Sequence, residues 1–269
     1  VIIMNKREIL IVDTVTKLGP EAYKNVVIAG SHGGVYAGFE AATARVRGII
    51  LHDAGVGLDN AGIGSLSYLD NLEIAAAVID YRTAVIGNGQ SLASSGRISF
   101  VNDTAAKSGC SVGQASMECA NAMKLSTFNS KPVPVYEEAR FIIRDGSDGI
   151  IVRGCDSVSL VKEEDEDTVV ITASHGEVLA SSPTWGNRPS VLGAVFNDAG
   201  SNLVSRLPDL DKLGIPAVTV SCSSAKIGDA RSTYNDGIIS HSNKSATNLN
   251  VKVGMTTIEF VEQINKNSS

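Results

Sequence analysis

The chain has 269 residues, of which 43% are hydrophobic and 19% charged, with a formal net charge of -6. That composition is the composition of an ordinary globular chain long enough for one large or two modest domains, and it excludes disorder and a coiled coil. The acidic balance lacks the basic patch that nucleic acid requires, and no apolar run approaches the roughly 18 residues of a membrane span, so neither is an expected partner.

Residues 1–7 are too short in their apolar part, and carry their basic residues on the wrong side, for a secretory signal, so a cytoplasmic protein is expected. Apolar, β-branched runs predict strands over 8–12 and 26–30, the second running into a loop of Ser31, His32, Gly33 and Gly34. An Ala-rich stretch predicts a helix over 35–45, and a strand over 48–51 ends in His52-Asp53-Ala54-Gly55. A Gly-rich loop to Gly64, a helix over 66–72 and a strand over 74–81 follow. Beyond Ile86-Gly87-Asn88-Gly89, helical material is expected over 99–108 and 112–124. Residues 125–149 hold Pro132, Pro134, Gly146 and Gly149 and match nothing else, which makes them a linker between domains 1–124 and 150–269. In the second domain the order recurs, with an exposed acidic turn over 162–167, a strand over 217–222 and a last helix over 255–265.

The recurrence is numerical. Ser31-His32-Gly33 matches Ser174-His175-Gly176 at an offset of 143, and Asp53-Ala54-Gly55 matches Asp198-Ala199-Gly200 at 145. Residues 67–119 align without a gap to 208–260 with 17 identities in 53 positions, where chance gives about 3. An internal duplication is read from this, and strands alternating with helices imply an α/β fold of two tandem copies, with mostly parallel sheets and helices on both faces.

In such a sheet the loops at the strand C-terminal ends hold the ligand. The duplicated trio supplies Ser31 and Ser174, or a water, as nucleophile and His32 and His175 as acid or base, while the Gly33 and Gly176 amides form an anion cradle beside Gly34. Asp53 and Asp198 could orient the imidazoles or cap the next helix, with Gly55 in the same loop as a substrate contact. Asp229 and Arg231 diverge from the first copy and could hold an anion. Cys222, at a strand end, is a candidate substrate contact or thiol nucleophile. The order His-Gly and then Asp-Ala resembles caspase-like cysteine proteases over a few residues, but Gly55 and Gly200 stand where those enzymes carry cysteine.

No cofactor is expected, because neither a phosphate-binding loop nor a dinucleotide fingerprint is present, and no metal is assigned, because no local pair of ligands is spaced for one. Two histidines and two aspartates could hold a metal only by converging from the two copies. The expectation is a hydrolase cleaving an amide, ester or lactam-type bond of a small anionic metabolite between the repeats, in a homo-oligomer. The alternatives are an isomerase, racemase or lyase acting on a small carboxylic acid, and a non-catalytic binder of a small anion.

Overall fold

The structure, a computed structural model, describes residues 7–147, 149–182, 185 and 188–268, so most of the N-terminal stretch weighed above as a signal lies outside the described residues. The chain forms two units. Unit 1 is Val1–Asp53, Gly62–Tyr136 and Leu179–Ser181, and unit 2 is Ala54–Ala61, Glu137–Val178 and Ser182–Ser269. The cut after Tyr136 falls inside the stretch 125–149, and each unit takes in a short piece from the other half of the sequence.

Unit 1 runs through β1 (Ile9–Val12), β2 (Val26–His32), α1 (Val35–Thr43), β3 (Gly48–His52), α2 (Ser65–Asn71) and β4 (Ala75–Ile79). It closes with α3 (Gly89–Ser95), β5 (Ile98–Val101), α4 (Asp103–Lys107) and α5 (Ser116–Met123). The sheet order is β1-β2-β3-β4-β5, parallel except for β5, which lies antiparallel on β4. All of β3 and β4 is buried, which is why their sequences are unbroken apolar runs rather than alternating ones. Alternate residues still choose sides. Val27, Ala29, Ile49, Leu51 and Val78 pack on α1 and α2, whereas Val26, Ile28, Ile50, Ala77 and Ile79 pack on α3 and α5.

Unit 2 runs through β6 (Arg140–Asp145), β7 (Ile151–Cys155), β8 (Val169–His175), β9 (Gly193–Asn197), α6 (Arg206–Asp211) and β10 (Ala217–Val220). The remainder is α7 (Ala230–Asp236), β11 (Ile239–Ser242), α8 (Lys244–Asn248) and α9 (Thr257–Asn267). Its sheet order is β11-β10-β9-β8-β7-β6, again parallel except at the two edges. One face packs on α9 through Phe260, Val261 and Ile264, and the other packs on α6 through Leu207 and Leu210. The protein is therefore an α/β fold of two similar units, each a mostly parallel sheet with helices on both faces. Two features set unit 2 apart among the described residues: the extra edge strand β6, and no helix at the place of α1.

The stretch 99–108, expected to be helical, splits into β5 and α4 because Asn102 stops the strand and starts the helix. Its Oδ1 accepts from Ala76 N (3.0 Å) and Ala105 N (2.8 Å), while its Nδ2 donates to Ile74 O (2.8 Å). Asn243 repeats the pattern with Ala217 N (3.0 Å), Ala246 N (2.9 Å) and Ile215 O (2.8 Å). One amide side chain thus caps a helix and satisfies two backbone groups beside the neighbouring strand.

His52 and Asn197 show the same economy. His52 Nε2 bonds the Ala84 carbonyl at 3.2 Å, and at the matching place Asn197 Nδ2 donates to Ala225 O at 3.0 Å. Burial is the main cause that pushes His52 down to about 4 from its ordinary 6.5, so the folded ring is neutral where the unfolded one takes a proton.

Replacing Asn102 by Ala is expected to cost about 2–4 kcal/mol in urea unfolding, because a cap and two buried bonds go together. At His52 the folded pKa is depressed, so its contribution is complete above the unfolded pKa of 6.5 and is lost as the pH falls from there toward 4. His52→Asn is therefore expected to keep neutral-pH stability within about 1 kcal/mol and to remove about 2 kcal/mol of the loss between pH 7 and 5. His52→Ala orphans the carbonyl and costs about 2–4 kcal/mol at either pH.

Candidate functional site

The site in unit 1 lies at the C-terminal ends of β2 and β3. The trio expected on a loop begins earlier, since Ser31 and His32 are the last residues of β2 and His32 stands in register with His52 on the parallel β3. Consecutive strand residues point to opposite faces, so Ser31 and His32 diverge. Ser31 Oγ accepts from Val15 N at 3.0 Å, and Ser174 Oγ accepts from Val158 N at 2.9 Å. Each hydroxyl therefore ties down the turn that follows the neighbouring edge-side strand.

Gly33 turns the chain out of the sheet. Its amide donates to the His52 carbonyl at 2.7 Å, and the Gly176 amide donates to Asn197 O at 2.8 Å, so both amides proposed as an anion cradle are engaged with backbone. A Cβ on Gly33 would sit 2.6 Å from Gly62 O and 2.7 Å from Val78 Cγ1. No other residue fits that crossing. Gly34 then caps α1 without a side-chain bond, and its amide donates to His32 Nδ1 at 3.1 Å. That bond leaves the imidazole proton on Nε2. Burial of the ring lowers the His32 pKa to about 4, so at neutral pH it is an uncharged donor beside the positive end of α1.

The aspartates hold backbone and hydroxyl groups of neighbouring loops and strands. Asp53 accepts from Tyr81 N (3.0 Å) and Ser99 Oγ (2.9 Å), and Asp198 accepts from Cys222 N (2.9 Å) and Gly200 N (2.9 Å). In both units the carboxylate fastens the loop after β3 or β9 to the loop after the next strand. Asp229 is the N-cap of α7, accepting from Arg231 N and Ser232 N, as Asn88 caps α3. The Arg231 guanidinium lies 3.8 Å from the centroid of the Phe141 ring on β6. Asp229 and Arg231 are thus a cap and a stacked cation.

In unit 2, a Cβ on Gly55 would lie 3.0 Å from both Cys222 Sγ and Gly200 Cα, so these three candidates do come together. Leu58 N donates to the Cys222 carbonyl at 2.8 Å. The chain approaching Cys222 has positive φ at Ala54, Gly55, Val56 and Gly57, with values of 50, 72, 62 and 72°. For the β-branched Val56 that conformation is strained. The sequence reads as a Gly-rich loop to Gly64, but its glycines do not announce the positive φ of Ala54 and Val56.

At the end of β8 two further charged residues are buried. Glu177 stands where unit 1 has Gly34, and Arg206 where unit 1 has Ser65. Arg206 Nη2 donates to the Glu177 carbonyl at 2.9 Å, Ser205 Oγ donates to the Glu177 carboxylate, and the guanidinium lies over Phe196. Burial raises the Glu177 carboxyl, and burial followed by the charge of Arg188 lowers Arg206 to about 10. The paired change from Gly34 and Ser65 is the signal in the sequence that could have found them. The fourth histidine, His241, pairs through Nδ1 with Thr219 Oγ1 at 3.0 Å.

Among the described residues no three His, Cys, Asp or Glu side chains are grouped to hold a metal ion, and no helix is long and apolar enough to cross a membrane. No protein-family model matches the chain, and neither a curated protein nor a solved structure matches it.

Proposed function

We propose that the chain is an enzyme hydrolysing an amide, ester or lactam-type bond of a small anionic metabolite, with His32 at the centre of the chemistry. One observation carries this reading: the half-buried His32 ring is held neutral, with Nδ1 accepting the Gly34 amide and the proton on Nε2. A neutral imidazole in that state donates to a carbonyl oxygen, and the bond strengthens as the oxygen becomes an oxyanion. The first turn of α1 adds the positive end of its dipole to the same charge.

The nucleophile in this reading is water, because the Ser31 and Ser174 hydroxyls already accept backbone amides. Water adds to the carbonyl carbon, the bond to nitrogen or oxygen breaks, and the leaving atom takes up the proton that water gives up. Cys222 and Asp198 lie in unit 2 and shape the turn around Gly55 rather than enter this step. We infer in addition that the two similar units descend from one duplicated unit, a reading supported by the shared roles of Asn102 and Asn243. The buried Cys110, Cys119 and Cys155 form no disulfide among the described residues, which supports a cytoplasmic setting. Exposed apolar side chains such as Leu125 and Val135 support a homo-oligomer.

Ester hydrolysis liberates a proton at neutral pH and amide or lactam hydrolysis a new amine, so a pH-stat measurement over carboxylate esters and an amine-reactive dye over N-acyl amino acids and small lactams test the proposal directly. Release of acid from an ester, or of an amine from an amide or lactam, is expected for at least one class. In His32→Ala, kcat should fall by about 100-fold or more, the scale of losing one oxyanion donor. The rate should stay level from neutral pH downward and decline only as the ring takes a proton near pH 4. Release from no class, or an unchanged rate in His32→Ala, rejects the reading.

A further inference from the structure

A cluster of cations lies at the opposite, N-terminal end of the unit 1 strands. Arg7 Nη1 donates to Lys124 O at 2.5 Å and Arg47 Nη1 donates to Ser126 O at 2.6 Å, so the short segment after α5 gathers two guanidinium groups. Arg47 Nε donates in turn to the carbonyl of Lys24 at 3.2 Å. The Lys24 ammonium rests 4.9 Å from the centroid of the Tyr23 ring and 5.1 Å from that of Phe128. Arg7, Lys24 and Arg47 line one cavity of about 420 Å³ together with Tyr23, Asn25 and Glu21.

No carboxylate among the described residues forms an ion pair with any of the three cations. Glu21 is the one acid in the wall, and its Oε1 accepts from the Gly19 amide at 3.1 Å. Arg47 is only 8% exposed, which makes it a buried charge with a like charge beside it. Burial first, and then the charge of Arg7, weakens its hold on a proton. Such an arrangement is costly unless an anion completes it.

The fold does not demand these cations, because unit 2 builds the same backbone without them. Lys24 N bonds Arg45 O at 2.9 Å and Arg47 N bonds Asn25 O at 2.8 Å, where unit 2 has Asp167 N on Ser190 O at 3.1 Å and Leu192 N on Thr168 O at 2.8 Å. Lys24 and Asp167 even share the left-handed conformation, with φ of 61 and 55°. An acid and a leucine do the structural work there.

We propose that this cavity binds a soluble phosphate monoester, with Arg47 and Arg7 holding phosphate oxygens and Lys24 supplying a third positive charge. Three cations around one space match a dianion with three terminal oxygens better than a carboxylate, which a single guanidinium saturates.

Calorimetric titration of the full chain with phenyl phosphate at constant ionic strength tests this. Saturable binding is expected, weakened roughly tenfold or more in Arg47→Leu and in Lys24→Asp, which install the residues of unit 2. Should Arg47→Leu fail to fold, Lys24→Asp and Arg7→Gln, at more exposed positions, carry the same expectation. The proposal is overturned by the absence of saturable heat, or by wild-type affinity in the folded variants. It is likewise overturned if the protein sediments with phosphatidic acid vesicles yet ignores phenyl phosphate.

Discussion

The hydrogen bond from the Gly33 amide to the His52 carbonyl decides the geometry of the strand ends in unit 1. It ends β2 two residues beyond the point where the apolar run stops, turns the chain out of the sheet and delivers Gly34 to the start of α1. His32 is fixed by the same turn, since its Nδ1 partner is the Gly34 amide. The bond can form only because residue 33 has no side chain to meet Gly62 O and Val78. In unit 2 the equivalent bond, Gly176 to Asn197, holds although no helix follows among the described residues. The turn is thus a property of the strand pair, and the helix is an addition to it.

The two units serve as natural substitution experiments on each other. His52 and Asn197 make one bond to one carbonyl, which marks the ring of His52 as a buried donor that an amide can replace. Asn88 and Asp229 both cap a helix, so the acid in the second unit is a cap before it is a charge. Gly34 and Ser65 change together to Glu177 and Arg206, exchanging the N-cap of α1 and a buried hydroxyl for a buried carboxylate next to a guanidinium. Arg47 and Leu192 differ where the backbone does not. Positions of the first two kinds keep one structural role in both units, and those of the last two are where the units differ in charge on a shared backbone.

Much of this was legible in the residues. Buried parallel strands announce themselves as apolar runs, and β2, β3, β4 and β10 lie where the runs over 26–30, 48–51, 74–81 and 217–222 place them. The matching offsets predicted two similar units before any coordinate did. What stayed hidden was polar bonding across sequence distance. Asp53 and Asp198 look like helix caps or histidine partners, because Asp before a turn suits either role; that they also accept from amides 28 and 24 residues away has no local signal. Ser31 and Ser174 look like nucleophiles for a similar reason. β5 reads as helix because its four residues, β-prone in themselves, run straight into the Ala-rich α4 with only Asn102 between, and β6 lies in a stretch whose prolines read as a linker. Arg7 and Arg47 are 40 residues apart, and only the segment after α5 brings them together.

The left-handed run from Ala54 to Gly57 has a bearing on the order in which the molecule yields. A valine held at a φ of 62° stores conformational energy that any opening of the loop gives back. The bond from Leu58 N to the Cys222 carbonyl is one of those that hold the loop in place. Strain of that kind lowers the cost of opening the loop below that of an unstrained loop with the same bonds, so the turn trades stability for a fixed shape at the strand ends.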